Sequence, residues 1–221
     1  MGNLLRIILI VFMLNSCAQK DSNIVKPIEY SVDFEKYNDE GRISIIDLDS
    51  IKNYSDLIME IERISCDKKV SGLKINTKTK VHYITGFTSC PTSGEINCYF
   101  RRINIRVKND SIFNSWSNMN ESIPIENLKI ELDTLMSKPY NLQYKKEILK
   151  PALISLYMDD DISVSTIKKV LCEIAEQFQR IRISKGSEYF KFNILFYEMY
   201  SFEVKPPPPP PLKPEKIEIV E

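Results

Sequence analysis

Lys150 to Phe178 reads KPALISLYMDDDISVSTIKKVLCEIAEQF, and the fold is organised around this stretch. Ala152 to Met158 is a nearly unbroken apolar run, the pattern of a strand buried on both faces. Three aspartates, Asp159 to Asp161, end the run, and a Ser/Thr-rich segment follows. Ile167, Val170, Leu171, Ile174 and Phe178 then recur at the spacing of one helical face. The stretch therefore predicts a strand, a turn and an amphipathic helix at the centre of the fold.

The elements on either side have readable rhythms of their own. Ile103, Ile105 and Val107 alternate with Asn104 and Arg106, Asn109-Asp110 makes a turn, and Ile112 to Trp116 returns as a hairpin with one wet face. Ser122 is placed to cap a helix, Pro124 suits its first turn, and Ile125, Leu128, Leu132 and Leu135 form its buried stripe. Downstream of the central helix, Gly186 breaks the chain and Phe190 to Tyr200 supplies a last aromatic-rich strand. The order from Ile103 onward is strand, strand, helix, strand, helix, strand. It predicts an α+β fold, a mixed sheet with helices mainly on one face and right-handed crossovers between parallel neighbours.

The first half is less regular. Arg42 to Leu48 suits a strand, and Tyr54 to Ile64 places Leu57, Ile58, Ile61 and Ile64 on one helical face, with Asn53 or Ser55 as cap. Leu73 to Asn76 and Lys80 to Ile84 read as short strands, ahead of a loop carrying Gly86, Pro91 and Gly94. Ala18 to Gly41 is polar, charged and without clear period, and reads as a flexible spacer.

The N-terminus carries an address. Arg6 supplies a basic start, Ile7 to Leu14 a short apolar core, and Leu14-Asn15-Ser16-Cys17 follows at once. That core is too short to span a bilayer of roughly 30 Å and reads as a leader to be removed. Its end resembles a bacterial lipobox, which implies acylation of Cys17 and a lipid anchor outside the cytoplasm. Acyl chains on one residue hold a protein firmly, since each buried CH₂ contributes about 0.8 kcal/mol. A plain secretory leader with an incidental Cys17 is the alternative. The expected organisation is 1–16 signal peptide, 17–41 tether, 42–102 N-terminal α+β region, 103–202 C-terminal α+β domain and 203–221 polyproline tail.

In an oxidising compartment the four cysteines beyond Cys17, namely Cys66, Cys90, Cys98 and Cys172, allow three pairings. A Cys90–Cys98 bridge would staple the loop around Pro91 to Gly94. Cys172, beside Leu171 on the helix, reads equally as a small buried hydrophobe, which would leave Cys66 free as well. The tail contains Pro206, Pro207, Pro208, Pro209, Pro210 and Pro211. Consecutive prolines form a polyproline II rod of roughly 3 Å per residue, pre-ordered for binding a partner; the other reading is an inert linker to Ile217 to Val220.

Chemistry is thinly represented. The 30 acidic and 30 basic side chains balance, so no overall field draws nucleic acid. His82 is the only histidine, which weakens a Ser/His/Asp triad, and without a C-x-x-C pair zinc is not expected. It alternates with Val81 and Tyr83 and reads as an outward polar residue. Ser89 and Ser93 lack a Gly-x-Ser-x-Gly elbow, and Asp159 to Asp161 lack the alternating ligands and Gly of a calcium loop, reading instead as a solvated capping turn. No catalytic residue, metal or cofactor is assigned.

Pro151-Ala-Leu-Ile-Ser-Leu-Tyr157, the following Asp159 and the helix beginning near Val164 resemble the periplasmic domain of the ExbD/TolR biopolymer-transport family. The resemblance spans Ile103 to Tyr200, under half of the chain. It implies βαβ-like units, a homodimer, and work beside a membrane motor that couples the proton gradient to the outer membrane. The family's intramembrane Asp has no counterpart in Leu4 to Leu14, so proton conduction is not implied, and Asp159 is expected to support a turn or helix start. The tail is similar to the spacers of TonB-like proteins. The expected function is that of a lipid-anchored envelope protein, at the outer membrane facing the periplasm, acting through protein contacts with ExbB/TonB-like partners or as a scaffold. The alternative is an envelope lipoprotein with a ligand-binding or hydrolytic site near the Gly86 to Cys98 loop.

Overall fold

The computed structural model describes residues 26–88, 103–113, 122–144 and 146–197. Cys17, Cys90, Cys98, Trp116 and Pro206 to Pro211 lie outside the described residues, as do the leader and the tail.

Nine strands form one mixed sheet. They are β1 (Ile28–Tyr30), β2 (Ile43–Asp47), β3 (Val70–Asn76), β4 (Val81–Phe87), β5 (Ile103–Lys108), β6 (Ser111–Phe113), β7 (Ser122–Pro124), β8 (Ala152–Tyr157) and β9 (Phe192–Tyr197). In space the order is β2-β3-β4-β9-β8-β5-β6-β7, with β1 also paired to β4. The sheet thus continues across the 102/103 boundary through the β4–β9 pairing, and the α+β class expected from the sequence holds.

The helices are α1 (Val32–Asp39), α2 (Tyr54–Cys66), α3 (Leu128–Ser137) and α4 (Val164–Lys185). Three of them link parallel neighbours: α2 between β2 and β3, α3 between β5 and β8, and α4 between β8 and β9. Leu73 and Ile75 of β3, Ile154 and Leu156 of β8, and the apolar stripes of α2, α3 and α4 make one core cluster on one face. Helix α4 buries Ile167, Val170, Leu171, Ile174, Ala175, Phe178 and Ile181 there. Each large side chain contributes about 1.5–3 kcal/mol by leaving water, which outweighs the modest intrinsic preference of this β-branched helix. Ser163 caps it by accepting from the Thr166 amide, and Gly186, at φ 97°, ends it.

Four expectations are corrected. Residues 28–39, read as tether, form β1 and α1. Ser31 caps α1 by accepting from the Phe34 amide, and Phe34 is only 3% exposed. Its ring packs with Tyr30 and Tyr83 on the face of β3 opposite Leu73. Burial of that aromatic face offsets the polar background that hid it. Ser122 and Pro124 belong to β7, and a 3-10 turn over Ile125–Asn127 precedes α3, so Ser122 caps no helix. Ile125, Leu128 and Leu132 are nevertheless fully buried. Cys66 is disulfide-bonded, to a cysteine outside the described residues, whereas Cys172 is a free thiol, so the two do not share one state. His82 is the fourth, and it leads to the site.

Candidate functional site at the split edge of strand β4

One edge of β4 carries two strands in succession. Val81, His82 and Tyr83 pair with Ile28, Glu29 and Tyr30 of β1, while Gly86 and Phe87 pair with Ile194 and Leu195 of β9. Where β1 stops and β9 has not yet begun, the sheet opens beneath α4. Strand alternation puts His82, Ile84 and Gly86 on the helix side, against α4, and Val81 and Tyr83 on the α1 side. His82 therefore points inward, 2% exposed, because a strand in mid-sheet has helix cover on the face its sequence suggested was wet.

Four charged or titratable groups converge. Glu29 Oε2 is 3.2 Å from His82 Nδ1, and Glu29 Oε1 is 3.1 Å from Lys80 Nζ. From α4, Glu176 Oε1 stands 3.9 Å from His82 Nε2 and 3.8 Å from Lys80 Nζ. Burial holds the His82 pKa below the ordinary histidine value, more than Glu29 and Glu176 raise it, with Lys80 adding to the depression. The imidazole is thus neutral near pH 7. His82 Nε2 and Glu29 Oε2 are buried without a hydrogen-bond partner. Left so, each costs about 1–3 kcal/mol.

A cavity of about 30 Å³ lies against this pair, lined by Glu29, His82, Gln179, Arg182, Ser187 and Phe190 among others. It is room for one or two water-sized groups. It continues into a shallow outer groove that shares Glu29, Tyr30, Gln179, Arg182 and Ser187 and adds Ile28 and Ile183. Arg182 Nη1 donates to the Tyr30 carbonyl at 2.9 Å and holds β1 against the helix.

The residues singled out by sequence lie elsewhere. Asp159 accepts from Asn109 Nδ2 at 2.8 Å and its amide donates to Asn109 Oδ1 at 3.0 Å, closing the β5–β6 turn onto the end of β8. Asn109 itself sits at φ 53°, a left-handed position that Asn tolerates. The Asp160 carbonyl accepts from the Ser55 amide at the start of α2. Asp159 and Asp160 are therefore fastenings, and among the described residues no group of three or more His, Cys, Asp or Glu is arranged to hold a metal. Glu29 and Glu176 escaped sequence reading because neither forms a motif with His82. Their only signals are the Ile28-Glu29-Tyr30 alternation and the helical spacing of Cys172, Glu176 and Gln179.

Comparison with protein-family models, curated proteins and solved structures finds no match to this chain.

Proposed function

We propose that the protein is a lipid-anchored envelope component that works through protein contacts, held at Cys17 and reaching a partner through its Pro206 to Pro211 segment, as an accessory of an ExbD/TonB-type transduction system. The observation that carries this reading is the placement of the first and last described strands. β1 and β9 both run parallel to β4 and flank the same edge of it. Tension between an anchor before β1 and a partner after β9 would drag the two strands past β4 in opposite directions along their lengths. Hydrogen bonds loaded in that shear geometry share the force instead of opening one after another. The run from β8 through Asp159 and α4 to β9 also has the strand, Asp, helix, strand order that the ExbD/TolR resemblance implies.

Affinity capture from native membranes tests it, comparing the intact protein with one lacking Lys205 to Glu221 and with Cys17→Ser. Motor or TonB-like subunits should come down with the intact form and be lost with the tail. Recovery of the same general envelope proteins by all three forms would sink the proposal. A second reading, ligand binding, is favoured by one observation: the unpartnered His82 and Glu29 atoms beside a cavity.

A further inference from the structure

The parallel strands β1, β4, β9, β8 and β5 all start at one end of the sheet. Lys26 and Pro27 lead into β1 there, the Thr77 to Lys80 turn into β4, the loop after α3 into β8 and the loop after α4 into β9. Hydrogen bonds tie these entries together. Lys26 Nζ donates to the Thr77 carbonyl at 2.7 Å, and the Leu149 amide to the Tyr189 carbonyl at 2.9 Å.

That end is basic. Lys191 pairs with Glu188 at 2.6 Å and Lys80 with Glu29 at 3.1 Å. Set against Glu147, the loops keep Lys26, Lys78, Lys138, Lys146 and Lys150, and Lys185 adds to them from the last turn of α4. The 30 acids and 30 bases of the chain balance, so this excess is a polarity: Asp110 and Asp159 to Asp161 lie at the other end, past the C-termini of β5 and β8. Large apolar side chains are exposed among the lysines. Tyr140 and Tyr144 are 69% and 91% exposed, and Ile28 and Ile183, at 51% and 77%, stand at the start of β1 and the end of α4. Lysines interleaved with tyrosines and aliphatic side chains suit a membrane–water interface, where the cations meet lipid phosphates and the rings sit at headgroup level.

The place of the anchor favours a lipid surface over a soluble anion. Cys17 and Lys26 are nine residue steps apart, at most about 32 Å of chain. A folded body of about 170 residues is roughly 40 Å across. An acylated Cys17 therefore keeps the Lys26 end turned to the bilayer and prevents it from facing away. We propose that this end, from Lys26 through the loop at Lys138 to Lys150 and on to Lys185, is a docking surface for a bilayer containing anionic lipid. It deepens the lipid-anchored reading and rests on it for the reach of Cys17. The C-terminus of β9, at the opposite end, then faces away from the membrane, toward a partner.

The mature chain, 17–221, with Cys17→Ser carries no acyl group, so vesicle flotation of it tests the surface apart from the anchor. Palmitate labelling of the unaltered Cys17 tests the anchor apart from the surface. Flotation is compared on vesicles of phosphatidylcholine and of equal parts phosphatidylcholine and phosphatidylglycerol. The expected result is binding to the anionic vesicles alone at 0.1 M salt, where the Debye length is about 10 Å, and release at 1 M, where it is about 3 Å. Each lysine at an anionic surface strengthens binding roughly five-fold, so Lys146→Gln with Lys185→Gln should weaken it at least ten-fold. Both side chains are exposed, and the matched pair Lys68→Gln with Lys69→Gln, exposed at the other end of the sheet, should change it less than two-fold. No flotation, equal flotation on both vesicles, or equal losses in the two double variants overturns the proposal. Retention on heparin without flotation would assign this end to a soluble polyanion and overturn it as well.

Discussion

The Tyr54 hydroxyl, on the first turn of α2, lies 2.9 Å from both the Leu156 and the Tyr197 carbonyl oxygens, at the ends of β8 and β9. One fully buried phenol thereby joins the N-terminal half of the chain to the two central strands of the C-terminal half. Burial, opposed only in part by the hydrogen bond to the Tyr197 backbone, holds its pKa well above the usual tyrosine value, so it stays a donor at all ordinary pH. Tyr54→Phe keeps the ring and its contacts with Tyr157 and Phe196 but removes the proton that both carbonyls share. The expected cost is about 1–3 kcal/mol in urea unfolding, with an unchanged slope against denaturant. A loss below a few tenths would mean that the two halves are joined by apolar packing alone.

His82 gives the stability a direction in pH. Its folded-state pKa is depressed, chiefly by burial, so the unfolded chain binds the proton more readily than the native one. The contribution is complete above the unfolded value of about 6.5 and is lost as pH falls through it toward the lower folded value. The melting temperature should therefore fall on acidification from pH 7.5 to 5. The carboxylates Asp47, Asp49, Glu60 and Glu126, whose pKa values are lowered by their lysine or arginine partners, respond only at lower pH. His82→Gln should flatten the profile between pH 7.5 and 5. An equally steep profile in that variant would place the titrating group elsewhere.

How far these features could be read from the sequence depended on what each residue leaned against. β8 and α4 were legible because both faces of Ala152 to Leu156 are buried with Ser155 as the one polar residue, and one stripe of α4 is apolar, so the pattern and the burial agree. His82 was not, because alternation along a strand separates its two faces without saying which is covered. Only the position of β4 between β3 and β9, with α4 above it, settles that. The tether was misread for a related reason. Tyr30, Phe34 and Tyr37 are spaced through a charged segment that forms no stripe wide enough to announce a helix, and Phe34 alone is buried.

Phe34 makes that segment testable. Gly72 lies beneath it on β3, and a Cβ there would stand 2.7 Å from Phe34 Cε2 and 2.8 Å from Ile43 Cγ2. Gly72→Ala should destabilise by about 1–3 kcal/mol through overpacking. Phe34→Ala alone should cost about 3–5 kcal/mol as a cavity. In the double variant the methyl group partly fills the space left by the ring, so the two losses should sum to more than the measured one. Strict additivity would show that α1 does not rest on β3 in solution.

The two described cysteines should behave oppositely. Burial pushes the Cys172 thiol up to about 11, so little thiolate exists at pH 8 and alkylation of the native protein should be slow, becoming rapid in urea. Cys66 should appear only in a cross-linked peptide without reduction. Ser65 Oγ donates to the Thr88 carbonyl at 3.1 Å, which brings the chain leading to Cys90 beside the end of α2. Peptide mapping is therefore expected to join Cys66 to Cys90. A Cys90–Cys98 peptide together with an alkylatable Cys66 would contradict both statements.

The shear arrangement around β4 predicts a directional resistance to force. The Val81 amide donates to the Pro27 carbonyl at 3.0 Å, and the Ser31 amide to the Tyr83 carbonyl at 2.8 Å, so β1 is held along its whole length. Handles at Lys26 and Tyr197 pull β1 and β9 lengthwise past β4 and load those bonds together. Handles at Lys26 and Lys78 pull β1 and β4 apart from the end they share, and the same bonds then open in sequence. In single-molecule pulling at one loading rate, the first rupture should need several-fold more force along the Lys26–Tyr197 axis. The Lys80–Glu29 contact crosses the same boundary and the Arg182–Tyr30 bond ties β1 to α4 as well, so Arg182→Ala should lower the first rupture force on both axes. Equal forces on the two axes would remove the mechanical support for a tension-bearing role, because the first and last strands would then gain nothing from sharing β4.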